Sequence, residues 1–471
     1  MAIYRELAAG NAALRPRLAS ALNNLGNRYS ALGLREEALP LSEEAVAIYR
    51  ELAAGNAAIR PDLAGALNNL GNRYSELGRL DEALPLSEEA VAIGRELAES
   101  HAAFRPVLAS ALHSLGIDYG ALERHEEALP PVEEAVAIYR ELAAENTAIR
   151  PYLARSLLNL GTQYMILGRP DKALLPAEEG VATYRELAAG NIAHRPDLAM
   201  ALIKLGNHLG DLRRHEEAMY PAEEAVATYR ELAVGNIALL PDLALALINL
   251  AISYRNLGRH QEALPPTEEG VATYRELAAS NAAFRPDLAR ALNHLGLFYD
   301  ELGRTEEALP LSEEAVAIGR ELAAENADFL PSLASALNNL GNIYSSLGRY
   351  EEALPVTEEA VATYRVVAGG NAVHRADLAK TLINLGARYS DLGRRPEALH
   401  PSDEAVAIYR VLAASNPVFR TDLAAALNNQ SAHYRNLGRR EEALPPQKRR
   451  WRSTGSWRQA MPPYGPGWRV P

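Results

Sequence analysis

PDLAGALNNLGNRYSELGRLDEALPLSEEAVAIGRELAESHAAFR, residues 61–105, reads as two helices and a stop. Pro61 suits the first turn of a helix, and Asp62 favours the positive end of its dipole. Leu63, Leu67, Leu70, Gly71, Tyr74 and Leu77 then follow at spacings of four, three, one, three and three, one apolar stripe at the helical period. Gly78 can end the helix in a left-handed conformation. A second helix follows, with Ala83, Leu86, Ala90, Val91 and Leu97 on its buried side and Glu82, Glu88 and Glu89 facing water. The next stop is often Gly-Asn, as at Gly55-Asn56 and Gly190-Asn191. Small residues (Gly71, Ala83, Ala90) stand where the two backbones must approach. Pro85, inside the second helix, either bends it or falls within the first turn of a helix that starts late.

The unit recurs every 45 residues: Tyr4 returns as Tyr49, Tyr139, Tyr184, Tyr229, Tyr274, Tyr364 and Tyr409, with Gly94 and Gly319 in the two missing places. No insertion or deletion interrupts the series. One hairpin cannot bury its apolar face alone, but stacked copies can. The expected fold is all-α, a right-handed α-solenoid or superhelix of antiparallel hairpins. First helices are expected to open at Pro16, Pro61, Pro106, Pro151, Pro196, Pro241, Pro286, Pro331, Ala376 and Thr421. Residues 1–15 read as the end of a preceding second helix, 16–446 as the array, its last unit incomplete, and 447–471 as an irregular basic tail.

Leu67-x-x-Leu70-Gly71-x-x-Tyr74, followed by Ala83 and Ala90, resembles the tetratricopeptide repeat. The unit exceeds the family's usual length of about 34 residues. It is similar to the long-repeat branch typified by kinesin light chain, in Pro61-Asp62, Asn68-Asn69 and the Pro85 that follows Asp81-Glu82-Ala83-Leu84. The resemblance covers roughly 1–446 and implies a binding scaffold without fixing its partner.

Both ends look cut. Met1 stands where Val46, Val91, Val136 and Val181 stand, as a bacterial GTG start inside a repeat would leave it. After Pro446 the chain turns to Gln447-Lys448-Arg449-Arg450-Trp451-Arg452, and all three tryptophans (Trp451, Trp457, Trp468) lie beyond that point. Read one nucleotide earlier with GC-rich codons, this tail restores the missing repeat, so its basic run is expected to be out-of-frame. Self-association through uncapped ends is expected. A sensor arm detached from a larger signalling ATPase or protease, and a pseudogene fragment, are the alternatives to a scaffold.

Nothing in the chain reads as chemistry. There is no cysteine, no His-Glu-x-x-His, no phosphate loop and no Gly-x-Ser-x-Gly, so no cofactor, metal site or catalytic residue is expected. His125, His215 and His260 share one repeat position on separate hairpins. Adjacent Glu-Glu pairs such as Glu43-Glu44 and Glu88-Glu89 point about 100° apart and read as a solvated face. A net charge of −12 opposes nucleic acid and anionic membranes. No apolar run looks long enough to span a bilayer, and the absence of cysteine fits a cytoplasmic protein.

The expected site is the concave face. With Leu67 as position four of the first helix, positions two, six, nine and thirteen lie away from the core. Position six is mostly asparagine (Asn24, Asn69, Asn159, Asn249, Asn339, Asn384, Asn429), and position nine adds Asn27, Asn72, Asn207 and Asn342. Such amides suit the backbone of an extended protein or peptide ligand, and the family resemblance implies that role. Equally, they can bond helix to helix and only set repeat geometry. The middle repeats place Ile117, Ile166, Met200, Leu245, Ile252 and Leu297 on that stripe, with Leu158, Ile203 and Ile248 beside it, an apolar patch for partner side chains or the result of drift.

Overall fold

The computed structural model describes residues 2–369, 372–439 and 442. The frameshifted-tail reading at 447–471 and the last second helix lie outside them. The described residues form helices and short 3-10 turns, without strands. The chain divides into two compact units, Met1–Asp242 and Leu243–Pro471, each a stack of consecutive helical hairpins. The protein is an all-α solenoid.

In the specimen repeat the first helix is Arg60–Glu76 and the second Leu80–Ser100. First helices begin one residue before the expected opening residue, at Arg15, Arg60, Arg105, Arg150, Arg195, Leu240, Arg285 and Leu330 before prolines and at Arg420 before Thr421; the ninth runs Ala372–Asp391, opening four residues ahead of Ala376. The hairpin turns through Gly78 at φ +73°, with the Arg79 N–H donating to the Tyr74 carbonyl at 2.9 Å. At the later Gly-Asn stop it is the asparagine that ends the helix. Gly55 is still helical, Asn56 is extended at φ −148°, and its side chain accepts from the Ala58 N–H at 3.0 Å, capping a 3-10 turn Ala57–Ile59. Pro85 is the sixth residue of its helix, so the late start does not hold: the helix absorbs the proline in its second turn.

Position four is the fixed point of the core. Leu22, Leu67, Leu112, Leu157, Leu202, Leu247, Leu292, Leu337 and Leu382 are all fully buried. Gly71 lets the helices close: a Cβ there would stand 3.1 Å from Ser87 Oγ and 3.6 Å from the Ala83 carbonyl oxygen. Asp118, also buried, accepts from Ser75 Oγ at 2.5 Å and Ser87 Oγ at 2.6 Å, tying one hairpin to the next.

The glutamate pairs do more than face water. Glu134 meets Arg95 at 2.9 Å and Glu359 meets Arg320 at 2.6 Å, each across neighbouring second helices. The other member of such a pair accepts from a tyrosine of the following hairpin, Tyr119 to Glu88 at 3.0 Å and Tyr344 to Glu313 at 2.8 Å. Exposed pairs contribute at most about 1 kcal/mol each, but their repetition sets one register along each stack.

Ile237–Asn256 corrects the expectation about bilayer length. Its 20 residues, mean hydropathy 1.8, are long and apolar enough to cross a membrane. Within its own hairpin this is a first helix whose Leu243, Leu247, Ile248 and Leu250 are buried. Its high hydropathy comes from Leu245, Ile248 and Ile252, which add to the apolar stripe shared by the other first helices.

Candidate functional site

In each unit the first helices line recesses between consecutive hairpins. In Met1–Asp242 a recess of about 350 Å³ lies among Gly65, Asn68, Asn69, Ser110, Tyr139 and Tyr152. The two tyrosine rings stack at 6.0 Å with an interplanar angle of 19°. In Leu243–Pro471 a more polar recess of about 360 Å³ is lined by His294, Asn338, Asn339, Asn342, Asp377 and Lys380. Burial, then Arg290 and Arg255, push the His294 imidazole down to about 4, so it is neutral at pH 7. Burial raises the Asp377 carboxyl, partly offset by His374 and Lys380.

The position-six asparagines divide by what their nitrogens meet. Asn69 donates to Asn23 Oδ1 at 3.1 Å, Asn339 to Asn293 Oδ1 at 3.0 Å and Asn384 to Asn338 Oδ1 at 2.9 Å. This is the helix-to-helix bond, an amide ladder that at these three places joins a first helix to the preceding one. Asn249 instead donates to the Leu245 carbonyl of its own helix at 2.9 Å, and the Asn159 nitrogen is buried without an acceptor. Asn24 and Asn429 are exposed, as is Asn207 at position nine. At position nine, Asn27 accepts from Arg73 at 2.8 Å. Asn72 and Asn342 are half-buried, and no hydrogen bond joins either side chain to a described residue.

The apolar patch is smaller than expected. Ile203 and Ile248 are 4% and 5% exposed, and Leu158 is 4% exposed, so these three belong to the core. Position five turns inward against the second helix of its own hairpin: a Cβ on Gly270 would stand 2.9 Å from Ile248 Cδ1. Ile117 and Ile166 are exposed; Met200, Leu245, Ile252 and Leu297 are half-buried. Sequence reasoning also missed the buried His113, which packs at position five and pairs through Nδ1 with Ser156 Oγ at 3.0 Å. Among the described residues no group of three or more His, Asp or Glu side chains could hold a metal ion.

Hairpins stacked one on the next within each unit, with amide-lined recesses along the first helices, define an α-solenoid of the scaffold class. Models of the tetratricopeptide repeat match residues 62–141, 242–321, 287–365 and 332–410, and a second model of that description matches 18–53. The chain belongs to the tetratricopeptide-repeat family. A model of anaphase-promoting complex subunit 5 matches 188–240. No curated protein matches the chain. Among solved structures, apo RapI is 13% identical with a TM-score of 0.57, covering 84% of this chain and 98% of its own. A Rap protein complexed with competence and sporulation factor is 15% identical with a TM-score of 0.53, covering 87% and 99%. BtubC (BKLC) from P. vanneervenii is 25% identical over 52% of this chain and 92% of its own, with a TM-score of 0.42. The two Rap proteins share the fold.

Proposed function

We propose that this chain is a non-catalytic scaffold that binds an extended protein or peptide segment along the first-helix face, in a cytoplasmic setting. The observation that carries this reading is Asn342. Its half-buried amide lines a polar recess and keeps both its donors and its acceptor unused by described residues. A peptide group offers the complementary pair, one N–H and one C=O. The ladder amides beside it, Asn339 and Asn338, are oriented by their bonds to neighbouring helices and form the wall. Asn72 stands at the same repeat position in the other unit. The half-buried Leu297 adds an apolar contact for a ligand side chain.

The test is a displayed peptide library selected on the purified chain, followed by calorimetric titration of the best binder. Asn342→Ala is expected to weaken binding roughly fivefold or more, the worth of about one hydrogen bond, with the melting temperature unchanged. Selection that enriches no sequence, or a binder indifferent to Asn342→Ala, sinks the reading.

A further inference from the structure

The tyrosine that recurs on the second helices, from Tyr49 to Tyr409, is only 1–5% exposed. It packs between its own first helix and the next, as the stacking of Tyr139 on Tyr152 shows. Its hydroxyl donates to the carbonyl 33 residues back, early in its own first helix: Tyr184 to Pro151 at 3.3 Å, Tyr229 to Pro196 at 3.2 Å and Tyr409 to Ala376 at 3.2 Å. A carbonyl oxygen has two lone pairs, so this bond adds to the helical one.

Two hairpins lack the ring, at Gly94 and Gly319. At Gly94 the next first helix comes close: a Cβ there would stand 3.0 Å from Leu108 Cα. At Gly319 the same helix stands back, with Leu333 Cα at 3.6 Å from that point. A cavity of about 300 Å³ borders the buried Gly319, walled by Pro286, Ala289, Leu322, Phe329, Pro331 and Ala336. An engineered apolar cavity of about 150 Å³ holds benzene, so this one has room for a substituted ring. Pro286 stands 33 residues before Gly319, so its carbonyl is the acceptor that the missing hydroxyl leaves free. Arg290, exposed and paired with Asp287, also borders the cavity and leaves it reachable from solvent.

We propose that this cavity is a binding site for a small para-substituted phenol, which supplies as a free molecule the ring that the repeat lacks. The ring restores contacts that the cavity walls have lost, the hydroxyl donates to the Pro286 carbonyl, and the para substituent faces Gly319. A Cβ on Gly319 would already stand 3.3 Å from Leu333 Cδ1, so that substituent is no larger than a methyl group. A tyrosine of a bound peptide cannot enter this way round, because its backbone would have to occupy the helix of Gly319. The site is thus separate from peptide binding, and its failure leaves the scaffold reading standing.

The test is a thermal melt of the full chain with p-cresol, the side chain of tyrosine with hydrogen in place of its α-carbon, and with toluene, which lacks the hydroxyl. Saturating p-cresol is expected to raise the melting temperature by about 2 °C or more. Calorimetric titration is expected to show toluene binding about fivefold more weakly, the worth of one hydrogen bond. Gly319→Tyr is expected to raise the melting temperature by itself and to abolish the effect of p-cresol. Nuclear Overhauser contacts from the p-cresol methyl to the Leu333 methyls are expected in the wild type, and they decide the matter should Gly319→Tyr fail to fold. An unshifted melt, equal affinity for p-cresol and toluene, a p-cresol effect that survives in folded Gly319→Tyr, or absence of the Leu333 contacts each overturns the proposal.

Discussion

Leu158 packs onto the bare α-carbon of Gly180: a Cβ at Gly180 would stand 3.1 Å from Leu158 Cγ and 3.1 Å from the Ala154 carbonyl oxygen. Where position five is asparagine, as at Asn68, the second helix carries alanine instead, Ala90. Leu158 with Gly180 and Ile248 with Gly270 are one packing solution; Ile203 and Ile383 go with alanines, Ala225 and Ala405. Helix propensity alone favours alanine by about 1 kcal/mol, but overpacking costs about 1–3 kcal/mol. Gly180→Ala is therefore expected to destabilise by about 1 kcal/mol in the wild type and to stabilise by a similar amount beside Leu158→Ala. Gly65→Ala, where a Cβ meets nothing within 4 Å, should stabilise in either background. Urea unfolding of the four-member cycle checks this; additive effects would contradict the packing account.

Glu123 and Arg213 hold the turn position that is glycine in the other hairpins, at φ +59° and +57°. A left-handed residue with a Cβ costs roughly 1 kcal/mol relative to glycine. Glu123→Gly and Arg213→Gly should each raise stability by about that amount, measured as the denaturant midpoint. Gly78→Ala, at φ +73°, should lower it.

Stability should fall with acid through the buried histidines. Burial pushes His113 down to about 3 and His208 to about 4, against about 6.5 in an unfolded chain. Because the folded value is the lower one, the unfolded chain binds more protons between them. The contribution is complete above about pH 6.5 and is lost as pH falls from there toward 4, at no more than about 1.4 kcal/mol per unit for each ring. Burial raises the carboxyl of Asp118, which favours the folded state on protonation and acts in the opposite sense nearer its ordinary value of about 3.9. Urea midpoints between pH 7 and 5 should decline, and His113→Gln should flatten the slope. An unchanged slope would mean that His113 is not held neutral.

The ladder amides are structural donors. Asn339→Ala leaves Asn293 Oδ1 without its partner at 3.0 Å and should cost about 1 kcal/mol in a thermal or urea melt. Asn342→Ala should cost almost nothing in the same melt. If the two variants melt alike, the distinction between wall and clamp fails.

Much of this fold is legible because a core residue such as Leu67 must recur in every copy, and period and stripe are written in that recurrence. The ladder was harder to read. Asn68 and Asn69 are neighbours in sequence on a polar-looking face, and only stacking reveals that Asn69 reaches Asn23, 46 residues back, while Asn68 leans toward Ser110 at 3.3 Å. Ile203 and Ile248 were read beside an open stripe because position five sits at the edge of the apolar arc; the covering second helix decides its side. Glu88 and Glu134 look like solvated charge until Tyr119 and Arg95 are brought to them from other helices.

The central claim is that a peptide lies along the first-helix face, and photocrosslinking tests it most directly. A benzophenone side chain in place of Leu297, which lines the recess of Leu243–Pro471, should form an adduct with the selected peptide that excess unlabelled peptide suppresses. The same group in place of Arg320, which pairs with Glu359 across neighbouring second helices, should form none. Adducts at Arg320 equal to or exceeding those at Leu297 would contradict the account.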